Sequence, residues 1–381
     1  MKKVITIIII LFLAGLMAIG FSDAAADSTQ ERAEKIDAKE IIFEHLGDAY
    51  GWELPFNHHR RIPLPIIVFG SDGLHCFSSA RVAHGHEYVD GNTTFVVPTE
   101  GANKGKVVEI VNSEERVPFD ISITKNVFAI FITMALVLWF AFALVNWYKK
   151  NPYKAPRGTR GACEALVVFI YDGVIKSTLK DKAKRFAPFL LTVFMFIFMM
   201  NLLGLIVIFP GGANLTGNIA VTLTMAILTF LVTNLFGTKH YWKDIFWPDV
   251  PLLLKFPIPI MPVIELFGIF TKPAALTVRL FANMMGGHMI VIVLTLLIFI
   301  FASVIGVAVG GATAVVSIIF SVFMLVIDVL VSFIQAYVFT MLSTIFISLA
   351  QEDGHKDHDE KKHADTQHIA TNEINKISIN I

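Results

Sequence analysis

The sequence predicts an all-α polytopic membrane protein. It has five membrane helices, the last two forming a long, strongly tilted C-terminal hairpin, and a small exported N-terminal α+β region. Three observations predict this class. The chain is 55% hydrophobic and only 16% charged, with a mean hydropathy of +0.66, which excludes an ordinary soluble domain. Uncharged runs of spanning length recur beyond residue 126. The longest apolar stretch, from about Phe256 to Ala350, contains Arg279, and its only other Asp, Glu, Lys, Arg or His residues are Glu265, Lys272, His288 and Asp328. An arginine at bilayer depth costs at least about 2.5–3.5 kcal/mol, so such a file of groups marks function. A formal net charge of zero argues against nucleic acid as a partner.

Residues 1–26 read as a secretory signal peptide. Lys2 and Lys3 precede the apolar run Val4–Phe21, and Ala24, Ala25 and Ala26 offer a small-residue cleavage site. The run is also about long enough to span, so a first membrane anchor is the competing reading. Residues 27–122 are polar and mixed, and form the expected periplasmic domain. Glu31–Tyr50 has helical spacing, whereas Ile62–Val97, richer in Gly, Pro and β-branched residues, reads as turns and short strands. His58, His59, His84 and His86 match no closed metal-ligand spacing and read as surface residues. No metal or cofactor is expected. Gly101–Val107 imitates a phosphate loop but is one residue short and lacks the Ser/Thr. Cys76 and Cys163 fall on opposite sides of the membrane and should not pair.

The membrane domain is expected over residues 123–350. Spans of about 20 residues, the length a hydrocarbon core requires, cover about 127–147, 188–210 and 218–236. The loop between the first two carries Lys149, Lys150, Lys154, Arg157, Arg160 and further lysines, so it is cytoplasmic by the positive-inside rule. Pro210–Thr216 has no Lys or Arg and belongs outside, while Lys239, Lys243 and Lys255 place the next loop inside. The final apolar stretch breaks at Gly306–Gly311 into arms of about 259–304 and 312–350. Each arm is roughly 60 Å of helix against a core of about 30 Å, so both must tilt strongly against a packing partner. The charged tail, 351–381, returns to the cytoplasm, and its histidines read as solvated.

Helical spacing sorts the buried charges. Glu265, Lys272 and Arg279 stand at i, i+7 and i+14, within about 40° of one another, with Asn283 one turn beyond on nearly the same face. His288, nine residues past Arg279, is rotated by about 180°. Asp328 and Gln335 share a face on the second arm. In an antiparallel pair, the step from His288 back to Arg279 (about 13 Å) matches that from Asp328 to Gln335 (about 10 Å). This register sets His288 opposite Asp328 and Arg279 opposite Gln335. A His–Asp pair can exchange protons near neutral pH, whereas Arg holds a fixed charge and cannot relay. Glu265 and Lys272 have a competing role as side chains that snorkel to the interface.

The string Leu276-Thr-Val-Arg279-Leu-Phe-Ala-Asn283-Met-Met-Gly-Gly-His288 resembles the fourth-helix motif of subunit a of F-type ATP synthases, an Arg-Leu-Phe-x-Asn core with Glu or His nine residues after the Arg. Met200-Asn201-Leu-Leu-Gly-Leu resembles that family's second-span motif, and Ile334-Gln335-Ala-Tyr-Val-Phe its last-helix motif. The resemblance covers Val127 to Leu349. Many bacterial members carry Glu in place of His288 and His in place of Asp328. The exchange seen here is similar to mitochondrial members.

The resemblance implies a proton-translocating stator subunit of the cell inner membrane. Its tilted arms would pack against a c-ring of small proteolipid subunits and supply two half-channels that do not meet. Arg279 would face the essential carboxylate of each passing c-subunit, with Asn283 and Gln335 assisting. His288 and Asp328 would relay protons on the exterior side, and Glu265 would line the cytoplasmic half-channel. The resemblance also implies subunit b of the peripheral stalk and the rest of the synthase as partners, no cofactor, and nucleotide chemistry in other subunits rather than in this chain. The alternative from another class is an autonomous ion-coupled secondary transporter. Such folds usually show internal repeats with broken helices, which five spans and one long hairpin do not display.

Overall fold

The computed structural model describes residues 47–352, apart from 55–56, 83–84, 92, 99–100, 102, 112–113, 207–212, 247–259 and 305–306. The expected signal peptide, most of the Glu31–Tyr50 helix, His84 and nearly all of the charged tail lie outside the described residues. The chain packs as two compact units. The first holds residues 1–167, 192–222 and 278–337, and the second holds 168–191, 223–277 and 338–381.

The N-terminal region of the first unit is built from short antiparallel strands. β1 (Gly51–Leu54) pairs with β2 (Asn57–Pro63). β3 (Pro65–Gly70) lies between β4 (Gly73–Ser78) and β9 (Phe119–Asp120). β5 (Tyr88–Asp90), β6 (Thr93–Val96), β7 (Val108–Val111) and β8 (Glu114–Arg116) form a meander. Alternation along the strands sends Ile66, Val68, Phe77 and Phe95 into one core with Val82 and Val107. The segment resembling a phosphate loop is a reverse turn between β6 and β7, with Gly101 at φ 93° and Gly105 at φ 75°. Cys76 is exposed, Cys163 is buried, and both are free thiols.

Seven helices of eight or more residues follow among the described residues, numbered α1 to α7. α1 (Lys125–Lys150) is capped by Thr124. Its uncharged middle gives way to Lys149 and Lys150 in the last turn, where cations suit the helix dipole. α2 (Thr159–Ile170) runs through a π-helical stretch, Tyr171–Lys176, towards α3 (Ala183–Leu205). The basic loop predicted here is thus largely helical, and Thr159–Leu205 makes one long apolar candidate span of 47 residues. α4 (Ile219–Leu235) is followed by the short α5 (Lys239–Phe246), bent from it by 102°. Counting that bent pair as one, the described residues contain up to five candidate spans. The all-α membrane class with a small strand-bearing N-terminal region therefore holds.

α6 (Ile260–Val304) and α7 (Val307–Ala350) are 45 and 44 residues long, far more than an upright crossing needs. The predicted break at Gly306–Gly311 does not extend to its glycine pair, because Gly310 and Gly311 lie inside α7. Apolar surroundings explain this: a backbone that leaves the helix in lipid loses hydrogen bonds that no water replaces, which outweighs glycine's weak helix propensity.

Within the first unit, Phe194 and Phe198 of α3 meet Phe333 of α7 edge-on at 6.1 and 6.0 Å. In the second, Phe230 of α4 stacks on Phe270 of α6 at 6.0 Å. There the Thr238 N–H donates to Ala350 O at 2.9 Å, satisfying a carbonyl at the end of α7.

Candidate functional site

Leu276, Leu280 and Met284, at four-residue spacing, form the buried stripe of α6, which leaves Arg279 and Asn283 exposed on other faces. Val278 beside Arg279 is 59% exposed, so this open face is apolar around the guanidinium. Arg279 makes no hydrogen bond or ion pair with any described residue. The predicted contact between Arg279 and Gln335 is replaced by one a turn further along, where Asn283 Nδ2 donates to Gln335 Oε1 at 3.2 Å. Gln335 is buried against that bond.

One turn beyond, Gly287 packs against Asp328, and a methyl on that glycine would stand 2.8 Å from Asp328 Oδ1. The pairs 283/335 and 287/328 run in opposite senses, so this part of α6 and α7 is antiparallel. Asp328 is buried at 9% exposure, and its main-chain carbonyl accepts the Ser332 hydroxyl at 2.6 Å. His288 and Asp328 are close enough to interact electrostatically, but no direct hydrogen bond joins them. Instead the His288 ring nitrogens lie 3.1 Å from Met284 O and 3.2 Å from Gly204 O of α3. Both ring nitrogens thus face main-chain carbonyl oxygens.

Sequence reasoning picked out the motif at Met200–Leu205 but assigned no role to the groups that α3 brings to this place. Asn201, buried in α3, donates to Ser332 O at 3.3 Å and accepts from Thr216 at 2.8 Å. The available signal was a lone asparagine in the middle of an uncharged span, where a polar side chain needs a partner. Gly204 matters for its lack of a side chain. A methyl there would touch Met284 Cε at 3.0 Å and approach Ala213 O at 3.5 Å, crowding the approach to His288.

Glu265 and Lys272 belong to the second unit. Glu265 is exposed on α6. The Glu265 carboxylate is close enough to the Tyr241 phenol of α5 to interact with it electrostatically. The Tyr241 hydroxyl donates to Asn234 Oδ1 at 3.3 Å. These two residues, with Thr233, Lys272, Pro273 and Phe346, line a cavity of about 20 Å³, room for one water. The Lys272 ammonium lies 5.5 Å from the centre of the Phe346 ring, a cation–π contact that eases its burial. No cluster among the described residues could hold a metal ion.

This architecture has known relatives. The family model for the ATP synthase A chain matches residues 127–348, and that of a domain of unknown function (DUF8433) matches residues 41–127. The chain is 43% identical over 248 residues to ATP synthase subunit a of Chlorobium phaeobacteroides, a match spanning 63% of this chain and 69% of the relative. It is 41% identical over 251 residues to ATP synthase subunit a of Chloroherpeton thalassium, spanning 64% and 71%. A third relative, ATP synthase subunit a of Myxococcus xanthus, is 38% identical over 252 residues, spanning 64% and 77%. The chain therefore belongs to the ATP synthase A chain family, as a multi-pass, non-catalytic subunit of the membrane sector that serves proton transport in ATP synthesis within a complex of the c-ring and other subunits.

Proposed function

We propose that this chain is the proton-translocating stator of its synthase, offering two offset half-channels to the c-ring with Arg279 as the barrier between them. The observation that carries the reading is the Arg279 guanidinium, exposed on an apolar helix face without a partner among the described residues. A permanent cation in apolar surroundings calls for an anion from outside. A c-subunit carboxylate arriving by rotation supplies one, and the cation favours its ionised form. The Asn283–Gln335 bond fixes the neighbouring amides, which can orient the passing carboxylate.

On the exterior side, His288 and Asp328 form the entry relay. Their faces differ from that of Arg279, so one side of α6 serves the rotor and another the access path. Glu265 lines the cytoplasmic half-channel. In this reading residues 1–26 are a cleaved export signal, 27–122 are periplasmic and 351–381 are cytoplasmic. Subunit b of the peripheral stalk holds the stator, and other subunits carry the nucleotide chemistry.

The test is proton pumping driven by ATP in vesicles. Arg279→Ala should abolish coupled pumping and open a passive leak, because the barrier charge is gone. Arg279→Lys should fail too, since an ammonium can shed its proton when desolvated and lacks the planar fork. Pumping at the native rate in Arg279→Lys vesicles would overturn the assignment.

A further inference from the structure

The three-stranded sheet β4-β3-β9 has an inner face that belongs to the core and an outer face that no described residue covers. Register places Leu74, Phe69 and Phe119 side by side across the three strands. They are 64%, 58% and 71% exposed. The next outward row is Cys76 opposite Ile67, with Ile121 beyond, whose N–H donates to Ile67 O at 2.9 Å. Two adjacent rows of a regular sheet thus present apolar side chains alone, an arrangement soluble surfaces rarely carry.

From this we propose that the outer face of the β4-β3-β9 sheet lies on the bilayer, inserting Phe69, Leu74 and Phe119 into the leaflet from which α1 emerges. Continuity with the lipid-facing helix supports it. α1, with 26 residues, is about 39 Å long, against a hydrocarbon core of about 30 Å and about 40–45 Å including headgroups. Its first turn therefore lies at headgroup depth. Phe128 in that turn meets Trp52 of β1 edge-on at 6.0 Å, and the Lys125 N–H donates to Ala49 O at 2.9 Å. The sheet itself enters α1 through residues 121–124. A domain clasped to the helix at this depth cannot stand off from the membrane.

Composition argues for lipid over a protein partner. The face holds Phe, Leu, Ile and Cys, without the Trp, Tyr and Arg anchors that dominate protein interfaces. Aromatic and aliphatic side chains inserted at the acyl boundary are how surface-lying elements hold a membrane.

Nitroxide labels at Phe69→Cys, Leu74→Cys and Phe119→Cys test it in the whole complex in phospholipid vesicles, with Cys76→Ser and Cys163→Ser. Collisions with oxygen should exceed those with a water-soluble nickel chelate at all three positions, and the order should reverse at the exposed Glu87→Cys. Independently, Leu74→Trp fluorescence should be quenched by brominated acyl chains. Nickel access equal to that of Glu87→Cys would overturn the proposal in favour of a solvated face. Labels immobilised and shielded from both reagents would overturn it in favour of cover by protein. These side chains are exposed, so their replacement leaves the core unchanged. The outcome is also independent of how protons move.

Discussion

Gly287 separates two effects that are usually entangled. A methyl group there raises helix propensity by about 1 kcal/mol, yet it would stand 2.8 Å from Asp328 Oδ1, so the carboxylate must swing aside. At Gly286 a methyl would meet nothing within 4 Å. Gly287→Ala should therefore leave the complex assembled and no less heat-stable while cutting proton flux by about tenfold or more, since ångström-scale misplacement of a reacting group costs up to about a hundredfold. Gly286→Ala should keep native flux. Equal flux in the two variants would remove Asp328 from the path. Nothing in the sequence distinguishes these adjacent glycines, because the difference lies in what the facing helix places opposite each. Arg279 and Asp328, in contrast, were legible as rare charges in an apolar run.

At the scale of elements, the question is whether α6 and α7 hold His288 and Asp328 as one relay. The structure brings them near each other without a direct bond, and ties His288 to Gly204 O instead. If they share a proton path, His288→Ala and Asp328→Ala should each reduce flux strongly, and the double variant should cost little more, because partners in one relay are not additive. Exchanging the residue types, His288→Glu with Asp328→His, should recover part of the flux. Additive losses without recovery would assign them to separate paths.

The register itself was legible only to within one turn. Helical period fixes which residues share a face, but the relative height of two long helices is set by side chains packing between them. Gln335 consequently meets Asn283 rather than Arg279. The pairing of β9 with β3 was beyond reach for a related reason: Phe119 and Phe69 are distant in sequence, and strand alternation says nothing about partners. The helical content of Thr159–Leu179 was hidden by its charges, which read as a loop once the search was for apolar runs.

For the whole molecule, the Lys/Arg asymmetry of the connections predicts the sidedness of the chain. With Cys76→Ser and Cys163→Ser, a single cysteine at Glu87 should react with a membrane-impermeant maleimide from outside intact cells. Cysteines at Tyr153, Lys243 and Glu360 should react only after the cytoplasmic side is opened. Tyr153, at 98% exposure, makes this a sensitive position. Reaction of Glu360→Cys from outside would change the parity of the crossings and invert the placement of the tail.

The junction between β9 and α1 bears on mechanics. A hinge needs residues whose torsions can turn without breaking hydrogen bonds, and this junction offers none. Ile121 N–H is bonded to Ile67 O, Ile123 N–H to Pro65 O, Thr124 N–H to Ser122 O, Lys125 N–H to Ala49 O and Phe128 N–H to Thr124 O. Side-chain oxygens take the rest: Asp120 accepts from Ser122 N–H, Asp48 from Asn126 N–H and Thr124 from Val127 N–H. Eight consecutive amides are thus committed. The strand-built domain and α1 form a single lever, so a sideways load on one is carried by the other without slack.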